Sequence, residues 1–148
     1  MEKEFVPYGL ALRMKKLKSM DKGFRYGFNE KTFAYFVEGF PNDKLIISSK
    51  PKLYSYEYNG GGPELISAPT FSQAFRWFRE KYDLYPSINI YNDKWLCLIK
   101  STVQSEIEVS GYIVDTINNG HPTFNTYEEA ELACLEKLIE IVESKTEK

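Results

Sequence analysis

Few side chains in this 148-residue chain are of a type and spacing that could do chemistry. Its one histidine, His121, stands before Pro122 in an Asn/Gly stretch. A lone imidazole builds neither a multi-histidine metal site nor, in that setting, a Ser-His-Asp or Cys-His constellation, so His121 reads as a turn residue. Cys97 and Cys134 lie in apolar runs at no metal-ligand spacing and read as two reduced core thiols of an intracellular protein. Gly60-Gly61-Gly62 lacks the Lys-Ser/Thr that completes a phosphate loop and reads as a flexible connection. Glu128 and Glu129 are adjacent carboxylates, but in the first turn of a helix they serve the macrodipole and the cap. Glu131 points into the apolar arc of that helix at 100° per residue and needs a partner wherever it is covered. The expectation is that the chain has no catalytic residue, cofactor site or metal site and is not an enzyme.

Two surfaces could bind a partner. Tyr54, Tyr56 and Tyr58 alternate along one extended stretch and share a face, the geometry on which bases or a flat apolar partner stack. The competing reading packs those rings under a helix. Arg76, Trp77 and Arg79, beside Lys81, form a cationic and aromatic patch suited to an anion or an acidic protein surface. The competing reading is a solvated flank with Arg76 paired to Glu80.

The elements that must position these residues announce themselves through a repeated phrase: a helix-opening residue, an aromatic, two variable residues and an alanine. It occurs at Pro7-Tyr8-Gly9-Leu10-Ala11, Thr70-Phe71-Ser72-Gln73-Ala74 and Thr126-Tyr127-Glu128-Glu129-Ala130. The last two set a hydroxyl three residues before Gln73 and Glu129, a capping-box arrangement. Helices are expected over Pro7 to about Lys18, Thr70 to about Asp83 and Thr126 to about Ser144. Strands are expected over 24–28, 33–37, 45–47, 53–58, 88–90, 94–100 and 109–114, with a turn at Asn92-Asp93 and a loop over 118–122. Apolar residues on both faces of 94–100 imply a central, covered strand. The fold class is α+β: antiparallel sheets with three helices in the order helix, strands, helix, strands, helix, as one domain over 1–148 that divides into two similar helix-plus-sheet halves at 67/68.

With 43% hydrophobic and 16% aromatic residues the chain has the material for a packed interior, which argues against disorder. The net charge of −2 conceals an asymmetry. Residues 1–31 hold eight Lys/Arg against four Asp/Glu, and residues 105–148 hold three against ten. The basic start can meet nucleic acid or the acidic last helix of the same or a neighbouring molecule. The second reading is favoured because an acidic surface repels phosphate. No stretch approaches the roughly 20 apolar residues that span a bilayer, and Met1 to Phe5 shows no apolar signal region, so a cytoplasmic protein without a membrane partner is expected.

The segments Ala68 to Tyr82 (APTFSQAFRWFREKY) and Thr126 to Ile139 (TYEEAELACLEKLI), with Glu4 to Leu12 (EFVPYGLAL), resemble a group of small uncharacterised proteins of bacteriophages and mobile elements of gut Bacteroidales. The resemblance spans nearly the whole chain except about 39–63. It carries no known activity and implies a phage or prophage accessory protein made in the bacterial cytoplasm. A weaker likeness, over residues 94–140, is to the three-strand-plus-helix DNA-binding domains of tyrosine integrases and plant ethylene-response factors. Between Lys94 and Glu140 the only cations are Lys94, Lys100 and Lys137, so that likeness implies shared topology without binding. The expected function is a non-enzymatic protein-interaction module whose partner is a host or phage protein, with homo-oligomers formed through the oppositely charged ends. The alternatives are nucleic-acid binding by the Tyr54/Tyr56/Tyr58 strand with the basic amino-terminal helix, and binding of a small anionic ligand at Arg76 and Arg79.

Overall fold

Proline, not a hydroxyl, opens the first helix. The computed structural model describes residues 2–17, 27–38, 44–54, 64–102 and 123–146. In it α1 (Tyr8–Lys16) starts after an extended Pro7, whose side chain caps nothing and whose carbonyl accepts from Ala11 N at 2.9 Å. Pro suits that position because its φ is already set and the amide it lacks would have no intrahelical partner. The chain forms two compact units, 1–74 and 75–148, whose boundary falls inside the second helix, after Ala74. The division expected from the sequence falls after Ser67.

In the first unit, β1 (Lys31–Val37), β2 (Ile46–Leu53) and β3 (Leu65–Ser67) form a sheet in the order β2-β1-β3 with both pairings antiparallel. Along β1, Thr32, Ala34 and Phe36 are buried and alternate with more open positions, the period-2 signature of a sheet with one covered face. Ala11, Met14 and Leu17 are buried on the helical side, and the Tyr8 ring meets Phe36 edge-on at 5.4 Å. Gly27 closes the end of α1: its amide donates to Lys15 O at 3.2 Å, and a Cβ there would sit 2.0 Å from Met14 O.

The strand pattern differs from expectation in this unit. The stretches 45–47 and 53–58 read as two strands, whereas β2 is one strand through Ser48 to Lys52 with an irregularity in its pairing to β1. Exposed Ser, Lys and Pro hide it, since an edge strand buries too little to alternate and tolerates proline. β1 begins at Lys31, two residues before the strand expected over 33–37. The three-residue β3 carries too few residues for a periodic signal. The strand expected over 24–28 lies mostly outside the described residues, and Gly27 and Phe28 are not in a strand.

The second helix, α2 (Phe71–Tyr82), begins as the capping pattern requires, with Gln73 N donating to Thr70 Oγ1 at 3.1 Å. The Gln73 amide does not complete the box; it donates to Lys31 O at 2.7 Å instead. α2 ends at Asp83, which sits in the left-handed region (φ 58°), while Leu84 N returns to Phe78 O.

In the second unit, β4 (Tyr85–Tyr91), β5 (Lys94–Lys100) and β6 (Thr123–Phe124) form an antiparallel sheet in the order β4-β5-β6, and α3 (Tyr127–Thr146) packs against β5. Asn92 and Asp93 both have positive φ, as a two-residue hairpin turn requires. Pro86 lies within β4 and is accommodated because β4 is an edge strand among the described residues. Thr126 Oγ1 accepts from Glu129 N at 3.1 Å, and Glu129 Oε1 accepts from Asn125 N at 3.1 Å, so both expected capping groups are used. Ala130, Cys134, Leu135, Leu138, Ile139 and Val142 supply the buried side of α3. Cys97 and Cys134, expected as separate reduced thiols, are joined in a disulfide between β5 and α3. Their separation of 37 residues hides a Cα–Cα distance of 5.9 Å, because the pairing depends on how α3 lies on the sheet. The fold is α+β, with three α-helices and two three-stranded antiparallel sheets among the described residues.

Candidate functional site

The tyrosine stretch does not form a display surface at its first member. Tyr54 follows β2, is buried, stacks on Tyr35 with ring centroids 4.3 Å apart, and donates its hydroxyl to Ser48 Oγ at 3.1 Å. Tyr56 and Tyr58 lie outside the described residues, as do Gly60 to Gly62 and His121. In the second unit Trp77 is buried, edge-on to Phe78 at 4.9 Å and to Tyr82 at 5.2 Å, so it belongs to the core and not to a cationic patch. Burial pushes the Tyr82 phenol up to about 12. Arg76 is exposed and Arg79 half-buried, as a helix whose apolar side is spent on Phe78 and Trp77 requires.

Three carboxyl clusters carry perturbed acidities. In the first unit, Glu38 and Glu64 face each other at the end of the β1–β3 ladder, where Glu38 N donates to Glu64 O at 2.9 Å. Lys15 Nζ donates to Glu64 Oε1 at 2.5 Å and to Leu65 O at 3.3 Å. The hydrogen bond from Lys15 holds Glu64 below its ordinary value, while hydrogen bonding to Glu64 raises Glu38. Acid–base pairs share that divergence, but here the charge is spent inside an ion pair that ties α1 to the sheet. Sequence reasoning missed it, because Glu38 and Glu64 meet only through strand register.

In the second unit, Asp83 Oδ2 accepts from Ser101 Oγ (3.0 Å), Thr102 N (3.0 Å) and Thr102 Oγ1 (2.6 Å). These bonds, those of Thr102 foremost, hold its carboxyl low. They fasten the end of α2 to the end of β5. Glu131 is half-buried, as its helical angle implies. Burial first, and Glu128 second, raise its carboxyl.

A groove of about 390 Å³ opens between β6 and α3. Thr123, Phe124 and Asn125 form one wall, and Glu129, Leu132, Ala133 and Glu136 the other. The helical members follow the i, i+3, i+4, i+7 spacing of a single helix face. Phe124, Leu132 and Ala133 make an apolar floor, and Leu132 is 39% exposed on it. Glu129 and Glu136 stand on the same face two turns apart, and Lys94 Nζ holds Asn125 Oδ1 beside β6. The chain matches no protein family, curated protein or solved structure.

The groove has the chemistry of a contact surface, with an apolar floor and carboxylates on one wall, and among the described residues its lining holds no Ser, Cys, Lys or His. Among the described residues no group of three or more His, Cys, Asp or Glu could hold a metal ion, and no helix is long and apolar enough to cross a membrane. The sequence contained a signal for the groove, since Leu132 falls on the glutamate side of α3, off the arc that packs on the sheet.

Proposed function

We propose that this chain is a non-enzymatic protein-interaction module and that the β6–α3 groove is its docking site. One observation carries the reading: Leu132 is exposed over an apolar floor, on the helix face that also bears Glu129 and Glu136. Exposed apolar side chains bounded by polar groups are what interaction sites present. The nucleic-acid alternative loses support because Tyr54 is buried against Tyr35 and the groove side of α3 bears carboxylates. The small-anion alternative loses its aromatic component with the burial of Trp77. The resemblance to phage and mobile-element proteins supports a host or phage protein, or a second copy of this chain, as partner.

The test is photo-crosslinking from p-benzoylphenylalanine placed at position 132, with position 90 as control, because Ile90 is 68% exposed and lies in the β4–β5 hairpin, two strands from Phe124 and not in the groove lining. A discrete protein adduct from 132, absent from 90 and competed by excess unlabelled chain, is the expected result. An adduct of twice the chain mass identifies the partner as a second copy. A nuclease-sensitive adduct, or equal adducts from both positions, refutes the reading.

A further inference from the structure

The walls of the groove also constrain what enters it. Resting on the interaction reading above, we infer that the occupant is an extended segment of another protein, with an apolar side chain flanked by Lys or Arg, laid along β6. Three observations converge on this occupant.

First, among the described residues β6 is the edge of its sheet: Phe124 and Thr123 pair with Trp95 and Leu96 on one side, and no described strand pairs on the other. An edge strand beside a helix is a ready template for a strand supplied by a partner, with backbone hydrogen bonds giving affinity and the adjacent pocket selecting side chains. Second, the floor of Phe124, Leu132 and Ala133 takes an apolar side chain, and about 390 Å³ falls at the small end of ligand sites, suited to one or two side chains and not to a folded domain. Third, Glu129 and Glu136 lie two helical turns apart, about 10 Å along the axis. An extended chain covers that distance in about three residues, and its side chains alternate faces, so cations two positions before and after one apolar anchor share the anchor's face and reach both carboxylates. Glu129 keeps acceptor capacity after receiving the Asn125 amide, since a carboxylate offers about four lone-pair sites. An acidic segment would meet like charge instead, which supplies the selectivity.

The experiment is selection of a random-peptide library on the intact chain, followed by fluorescence anisotropy of the enriched sequences. Enrichment of an apolar residue flanked by Lys/Arg is expected. Leu132→Asp should weaken the selected peptides at least about tenfold through loss of the apolar contact. Glu136→Lys should weaken them about fivefold and lessen their salt dependence. Both positions are exposed on α3, and Glu136→Lys leaves the apolar floor intact, so a folding defect in one variant does not remove the test. Enrichment of acidic or proline-rich peptides, or the same enrichment on the Leu132→Asp variant, overturns the inference. A crosslinked partner at position 132 together with either of those outcomes retains the interaction reading and rejects only this occupant. No crosslink at 132 rejects the reading itself.

Discussion

Reducing the Cys97–Cys134 bond should cost this protein a large part of its stability. The two residues are 37 apart in sequence and 1% and 0% exposed, one at the middle of β5 and one on the helix that covers it. Closing a loop of that length in the unfolded chain is worth about 4 kcal/mol at 25 °C in the chain-entropy treatment. For a chain of this size, where 1 kcal/mol moves the melting temperature by about 3 °C, that amounts to a fall of roughly 12 °C. The assay has two parts. Thiol titration in denaturant without reductant should find no free cysteine, and thermal unfolding with and without a phosphine reductant should show the fall. The double variant Cys97→Ala/Cys134→Ala should melt at a temperature that reductant does not change. Two titratable thiols in the unreduced protein, or a melting temperature indifferent to reductant, would refute the reasoning.

Two glycines give a paired prediction. Gly9 lies in α1 with open space where a methyl would stand, so Gly9→Ala should stabilise by about 1 kcal/mol through helix propensity. At Gly27 the same change drives Cβ to 2.0 Å from the Met14 carbonyl and should destabilise by about 1–3 kcal/mol; urea unfolding reads both. Asp83 supplies the acid-side prediction. Hydrogen bonds from Thr102 and Ser101 lower its folded pKa, so its contribution is present above the unfolded value of about 3.9 and is lost as pH falls through the lower folded value. Asp83→Asn should therefore melt below the wild type at pH 7, with the gap narrowing as pH drops below about 4. Glu38 runs the opposite way: its raised folded pKa contributes stability below the ordinary glutamate value of 4.5 that is lost as pH rises. Glu38→Gln should remove that loss and flatten the melting temperature between pH 4.5 and neutrality.

The sequence was most legible where local chemistry decides structure. Thr70 and Thr126 announce their helices because a hydroxyl three residues ahead of a helical amide satisfies it, and Asn92-Asp93 announces its hairpin because both residues tolerate positive φ. β5 was legible because it is central and apolar on both sides. β2 was not, since an edge strand of Ser, Lys and Pro carries no hydrophobic period. Trp77 and Tyr54 looked like binding residues because aromatic rings beside cations or in alternation suit both a surface and a core, and only packing separates the two. The groove was half legible. Leu132 stands out among the glutamates of α3, but Phe124 and Thr123 join it only through the pairing of β6 with β5.

Hydrogen–deuterium exchange of the chain alone and with its crosslink-identified partner bears most directly on the docking claim. Docking in the groove predicts slowed exchange at Thr123 to Asn125 and along Glu129 to Glu136, with β1 to β3 unchanged. Protection confined to β1 to β3 or to α2, with β6 and the first half of α3 exchanging as in the free chain, would contradict it.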